Sequence, residues 1–410
     1  MRLLLTFAPL FLSVLLLQLS TGGVGPLDAL SGIALDFTVG QIGLLGSAHF
    51  VGFFIGCWWA PRLMGAVGHS RAFAAFTAAG AIGLIAHMTI VDPYAWAMMR
   101  VASGLCVAGC YTVIEGWMMA RLENAERGRV MGSYRIIDMG GSLLAQTMIS
   151  FLAPADYVSY NVLAILCCAA LFPLTLTRAE QPAMPAQPRL RPGLAWARSP
   201  LAVAAVIVSA LSAATFRMIG PLYGKEVGLG TDQIALFLSI YILGGALAQY
   251  PAGWLADKFD RRRVLIWISV GAMLSCLLAA TTSDGVTMVM LNAALFGFTT
   301  FPVYSVAAAH AHDFASHEER AELSAALLFF YALGAIAAPW TASQLIAAFG
   351  PGALFAMVAV GHLALLGFGL LRMRVGRVRT ARTRYVWAPR TSFIIGRLLR
   401  RAREREDGTA

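Results

Sequence analysis

The sequence predicts an all-α polytopic membrane protein, with twelve transmembrane helices in two six-helix pseudo-repeats. Three observations carry that prediction. Apolar residues fill 59% of the 410 positions and charged residues only 13%, about half of the charge a soluble domain carries. Apolar runs of roughly 18 to 25 residues, long enough to cross a bilayer as helices, recur along the whole chain. A displacement of 192 positions lays the second half of the chain on the first. A transmembrane β-barrel would show alternating segments of about ten residues instead. Here the runs are continuous and rich in Leu, Ala and Gly.

The twelve runs lie at about 3–28, 41–64, 72–91, 95–119, 129–152, 157–177, 199–223, 233–256, 264–282, 287–310, 321–346 and 350–371. The first, in "MRLLLTFAPLFLSVLLLQLSTGG", has the basic start, apolar middle and small residues of a secretory signal peptide. The internal repeat needs it as the counterpart of the seventh run, so a retained span is expected. The second and eighth runs open on Gln41-Ile42 and Gln233-Ile234, one offset of 192 apart. The same offset carries Asp92, after the third run, onto Asp284, after the ninth, and Arg71 onto Arg263. With one residue more, Glu126-Arg127 meets Glu319-Arg320, and Gly141 meets Gly334. Six helices per half is an even number, so the two copies share one orientation, as in transporters with parallel repeats. Pro26, Pro302 and Pro339 sit within or near run ends, where they permit bends.

The expected organisation is a six-helix bundle over 1–178, a linker over 179–198, a second bundle over 199–372 and a basic tail over 373–410. The linker region, "RAEQPAMPAQPRLRPGLAWARSP", holds five prolines and reads as solvated chain. The tail carries eleven arginines. Its "SFIIGRLLRRARERE" is either an amphipathic helix on an anionic leaflet or plain solvated chain.

The net charge is +10, and its placement is informative. Loops on one side carry Arg62, Arg71, Arg121, Arg127, Arg129, Arg178, Lys258, Arg261, Arg262, Arg263 and Arg320; the other side has Lys225 among several aspartates. The positive-inside rule then places both termini in the cytoplasm and the chain in the cytoplasmic (inner) membrane. Nucleic-acid binding is an unnecessary explanation of the basic surplus. All six cysteines fall within runs, without zinc-type spacing, and read as packing residues.

Between the eighth and ninth runs, "GWLADKFDRRRVL" packs six charges into the seven positions from Asp257 to Arg263. Gly253, Asp257, Lys258, Arg261 and Arg262 resemble the cytoplasmic signature of the major facilitator superfamily, with Asp260 where that family usually has glycine. The resemblance implies a gating motif, in which close helix approach and a charge relay latch an outward-open state. An ordinary positive-inside loop is the alternative. The first-half copy, "PRLMGAVGHSRAF", has Gly65 opposite Asp257, so a relay there is expected to be weak or absent. "RVASGLCVAGC" from Arg100 is similar to the family's fourth-span signature, an arginine followed four residues later by glycine. "GFTTFPVYSVAAAHAHD", "QYPAGWLADKFDRR" and "GPLY" resemble the YcaD-like branch. The Gly-Pro signature of proton-coupled drug antiporters is missing from the fifth run, which reads "DMGGSLLAQ".

An ionisable group at mid-bilayer costs at least about 2.5–3.5 kcal/mol, so each one needs a reason. Glu115 in the fourth run and Arg135 in the fifth stand at similar depth, five to six residues from the same side. Asp138 lies three residues beyond Arg135, on one helical face, and Tyr134 stands beside the group. One reading is a neutral Glu115–Arg135 pair that fixes two helices. The other makes Asp138 the titrating group and Arg135 the contact for a substrate anion. Arg100, and likewise Arg217, either serves coupling or snorkels to headgroups. His310 and His312 could titrate or cap a helix end, and Gln18, Gln146, Gln249, Tyr304 and Gln344 line a cavity or bridge helices.

No phosphate-binding glycine loop, metal set or nucleophile constellation is present, so no enzyme and no cofactor are expected. The expected function is secondary active transport of a small molecule by alternating access, coupled to protons, by a monomer in the lipid bilayer. The alternative is a membrane sensor or assembly protein that keeps the fold without transport. The two are separated by whether Glu115, Arg135 and Asp138 face a cavity or a helix seam.

Overall fold

The computed structural model describes residues 2–121, 127–176, 190–281, 285–316 and 319–374. Among these residues every regular element is helical. The chain runs α1 (Arg2–Ala34), α2 (Val39–Val67), α3 (His69–His87), α4 (Pro93–Arg121), α5 (Arg127–Met148), α6 (Tyr157–Ala169) and α7 (Leu171–Thr175). After α8 (Pro192–Arg198) come α9 (Pro200–Glu226), α10 (Thr231–Lys258), α11 (Arg261–Thr281), α12 (Val286–Thr300), α13 (Pro302–His312), α14 (Arg320–Phe349) and α15 (Ala353–Arg374). Helix is the form in which a long apolar segment satisfies its own backbone in lipid. The outer faces match that solvent: Phe151 and Tyr250 are each 83% exposed, and Ile136 is 75%. Helices apolar on all sides belong in a bilayer.

Local chemistry sets the helix starts. Gln41 accepts from the Thr38 backbone N–H at 2.8 Å while Thr38 accepts from the Gln41 N–H at 3.3 Å, a capping box. At the matching position Gln233 accepts from the Gly230 N–H at 3.0 Å. Asp92 accepts the N–H groups of Tyr94 and Ala95 at 3.0 and 2.8 Å. Pro200 and Pro302 take first-turn positions, where a missing N–H is harmless.

Among the described residues, ten helical stretches are long and apolar enough to span a membrane. The third and fifth expected runs are helices, α3 and α5, that fall short of that measure. α5 carries Arg127, Arg129, Arg135 and Asp138, and α3 is 19 residues rich in Ala and Gly. The tenth run is divided by Pro302 into α12 and α13, within one stretch from Val286 to His312. The first run extends to Ala34 rather than ending near residue 28, which places Asp28 inside a helix. The expected linker is not wholly extended chain. Pro192–Arg198 forms α8 and packs on α14, with Arg191 3.1 Å from Glu322 and Arg198 paired to Glu319. The tail stretch from residue 375 lies outside the described residues.

Small residues bring the helices together, as in bilayers generally. A Cβ on Gly52 would strike the Val101 carbonyl, and one on Gly104 the His49 carbonyl, so α2 and α4 touch backbone to backbone. In α10 and α12, Gly244 meets the Ala294 carbonyl and Gly297 the Tyr241 carbonyl. Those four contacts correspond at offsets of 192 or 193. Gly141 on α5 meets Gln18 of α1, and Gly334 on α14 meets Ala210 of α9, at the same displacements. α2 also packs on α14, where Gly43 and Gly46 face Ser343 and Pro339, and the Trp340 N–H donates to Ser47 Oγ at 3.1 Å.

Candidate functional site

A cavity of about 160 Å³ lies between α1, α2, α4, α5, α9, α10 and α14. Glu115, Arg135, Asp138 and Tyr134 all line it. α4 packs chiefly on α2 and α3, and α5 on α1 and α10; the two helices meet through long side chains, Glu115 with Tyr134 and Tyr111 with Asp138. Asp138 is 7% exposed and is the meeting point. Gln18 Nε2 donates to its Oδ1 at 2.7 Å, Tyr111 Oη donates to the same oxygen at 3.0 Å, and Arg135 Nη1 pairs with Oδ2. Glu115 Oε1 accepts from Tyr134 Oη at 2.8 Å. Such a carboxylate is held by charge-assisted bonds that can be exchanged. Gln146, another lining residue, donates to the Gly22 carbonyl at 3.1 Å.

Arg100 is not at the membrane surface. It is 2% exposed, and its Nε lies 3.3 Å from Asp28 Oδ2, which overturns the snorkelling alternative. Tyr160 Oη donates to Asp28 Oδ1 at 2.9 Å, and His87 Nε2 stands 3.6 Å from Oδ2. Four helices, α1, α3, α4 and α6, thus converge on one buried aspartate. Arg100, Ser103 and His49 also line a small recess beside the main cavity, and His49 faces both. Asp28 and His87 were missed in the sequence. The signal available was an aspartate inside an apolar stretch that continues to Ala34.

Arg217 opens into the main cavity from α9, exposed there while its helical neighbours Phe216 and Met218 are buried. Its snorkelling alternative fails too. Tyr304 is buried against Tyr331, and Gln344 faces Gly40 at the α2–α14 seam, so neither lines the cavity. His310 is buried beside Phe314, and His312 Nε2 lies 3.1 Å from Ser324 Oγ.

The charged stretch forms the α10–α11 turn. Arg261 is buried and bonds Asp313 at 2.7 Å, the Ala309 carbonyl at 2.8 Å and Asp257 at 3.3 Å. It therefore ties the end of α13 to the turn. Asp257 stays half exposed. Lys258 lies over the Trp254 ring at 4.6 Å, a cation–π contact. Asp260, in the place of glycine, accepts the Arg262 N–H at 2.9 Å and pairs with its guanidinium at 3.0 Å. Burial pushes the Asp260 carboxyl up, but the Arg262 hydrogen bonds and charge outweigh it and hold the carboxyl below its ordinary value. Gly253 is buried in α10.

Residues 201–404 match the family model of the Major Facilitator Superfamily. Over 358 residues, 85% of this chain and 91% of the relative, the sequence is 26% identical to the MFS-type transporter YcaD of Salmonella newport (strain SL254). The chain is similar to the major facilitator superfamily, by the family model in its second half and by the relative over most of its length. Two solved structures share the fold. The nucleoside transporter NupG aligns with a TM-score of 0.74 at 16% identity, over 90% of this chain and 98% of that one. A bacterial homolog of the human lysosomal transporter Spinster, in an inward-facing and occupied conformation, aligns with a TM-score of 0.73 at 16% identity, over 92% and 99%. Major facilitator proteins are membrane transporters and not enzymes, and they take small-molecule substrates. The chain is accordingly a multi-pass membrane transporter.

Proposed function

We propose that this transporter moves its substrate across the cytoplasmic membrane by alternating access, with proton coupling through Asp138. The carrying observation is the convergence of Arg135, Tyr111 and Gln18 on that one carboxylate at the cavity wall. Protonation of Asp138 would release Arg135 and rearrange four side chains at once, a local switch suited to a two-state element. The cavity position of Glu115, Arg135 and Asp138 favours transport over a sensor that merely keeps the fold.

The moving parts in this reading are two six-helix bundles, 1–178 and 199–372, joined by the linker 179–198 and followed by the tail 373–410. The matched backbone contacts Gly52–Val101 and Gly244–Ala294 support the duplication. α2 and α14 meet at the end bearing Gly43, Ser47, Pro339 and Ser343. Closure there, with the Asp257 signature at the opposite end, supports an inward-facing state with both termini cytoplasmic. The monomer is the transporting unit. Arg100, held by Asp28 beside the cavity, supports a second charge relay coupled to the first.

The test is proton flux in proteoliposomes with an internal pH-sensitive dye. Wild type is challenged with a panel of neutral, anionic and cationic metabolites under an imposed pH gradient. A compound that drives proton entry in wild type and not in Asp138→Asn is the expected result. Equal flux in the two proteins contradicts the assignment.

A further inference from the structure

We infer that the cargo is a small organic monoanion, bound through its charged group by Arg217 with its apolar body against the cavity's aromatic wall. This rests on the proposed reading of the cavity as the transport site. In a helix buried on both sides of it, from Ser212 to Phe216 and from Met218 to Gly224, Arg217 alone opens outward. Among the described residues no hydrogen bond or ion pair engages its guanidinium. The other arginines at span depth are engaged: Arg100 by Asp28, Arg135 by Asp138. A guanidinium is always charged and presents a planar fork that matches a carboxylate. Placed in a cavity without a protein partner, it is completed by an anion from solution.

Charge balance selects a monoanion. The cavity that Asp138 of α5 lines is shared by Gln18 from α1, His49 from α2, Tyr111 and Glu115 from α4, Arg135 and Tyr134 from α5, Arg217 from α9, Tyr241 from α10 and Tyr331 from α14. With the tyrosines and imidazole neutral, two carboxylates balance two guanidiniums. A bound monoanion leaves one negative charge, and one proton on Asp138 restores neutrality before the loaded cavity crosses a low-dielectric region. A dianion would need a second proton, and an amine would find Arg217 repelling it. Apart from Thr21, Ser142 and Gln146, the remaining wall is apolar and aromatic, including Phe50, Phe53, Ile242 and Phe301. About 160 Å³ holds on the order of ten water-sized sites, which suits a single ring or a short branched chain.

Benzoate, its neutral isostere benzamide, the cation benzylammonium and the dianion phthalate are titrated at millimolar concentrations into detergent-purified wild type. Thermal shift and calorimetry are the readouts. Benzoate is expected to bind and the other three to bind at least about tenfold more weakly, roughly 1.4 kcal/mol. Arg217→Gln is expected to lose benzoate by a similar factor, with its unliganded melting temperature retained, while Arg217→Lys keeps part of the affinity. Benzoate binding equal to benzamide binding, an unchanged Arg217→Gln, or no benzoate response in wild type overturns the inference. Should Arg217→Gln bind benzoate normally while proton flux still depends on Asp138, the anion site fails and the transport reading stands. The reverse pattern, Arg217 required and Asp138→Asn indistinguishable from wild type, removes the coupling assignment and leaves the anion site.

Discussion

Asp28 Oδ2 and Arg100 Nε lie 3.3 Å apart with both side chains 2% exposed, an ion pair that water does not reach. Removing one member of such a pair leaves the other charge stranded, which typically costs about 3–5 kcal/mol. Asp28→Ala is therefore expected to lower stability by that order, seen as a lower melting temperature in detergent. Asp28→Ala combined with Arg100→Leu should recover much of the loss. A double variant as unstable as the single one would show that the pair is not the cause.

The backbone contact between α2 and α4 makes a second prediction. A methyl on Gly104 runs into the His49 carbonyl, and overpacking of this kind costs about 1–3 kcal/mol. At Gly140, where a Cβ meets nothing within 4 Å, alanine should be neutral or gain up to about 1 kcal/mol from helix propensity. Melting temperatures of Gly104→Ala and Gly140→Ala, measured side by side, check the contrast.

The linker contact is pH-sensitive. The Arg198 hydrogen bond outweighs a small burial effect and, with Ser316, holds the Glu319 carboxyl below its ordinary value of 4.5. A depressed carboxyl contributes stability that is fully present above its ordinary value and is lost as pH falls through the lowered one. Wild type should thus melt above Arg198→Gln at neutral pH, by a small margin because the pair is solvent-screened. The margin should vanish on acidification and shrink with added salt. A margin independent of pH would assign the effect to something other than this pair.

The cluster at Glu115, Arg135 and Asp138 was legible because its logic is local. Arg135 and Asp138 share a face at a spacing of three, and counting residues from the same side sets Glu115 and Arg135 at one depth. The charged turn at Asp257–Arg263 was legible for the same reason. The Asp28 network was not, since its partners His87, Arg100 and Tyr160 come from three other helices and no spacing links them. Arg217 was left between two readings for a different reason. The rotation of a helix about its own axis decides whether an arginine meets lipid, headgroups or a cavity, and an apolar helix without a polar stripe does not declare that rotation. The short helix α8 was hidden by prolines that suggested extended chain, although Pro192 takes a first-turn position that helices accept.

The central claim is that protonation at Asp138 changes which end of the cavity is open. Spin labels on Tyr94→Cys and Phe349→Cys, at the ends of α4 and α14 beside the closed seam, report that end in a background where exposed Cys168 is replaced. Distance distributions are recorded in lipid nanodiscs at acidic and alkaline pH, for wild type and with Asp138→Asn added. The account predicts two distances whose populations shift with pH in wild type, and a pH-insensitive distribution near the acidic one in Asp138→Asn. One distance, unchanged by pH or by Asp138→Asn, would contradict it.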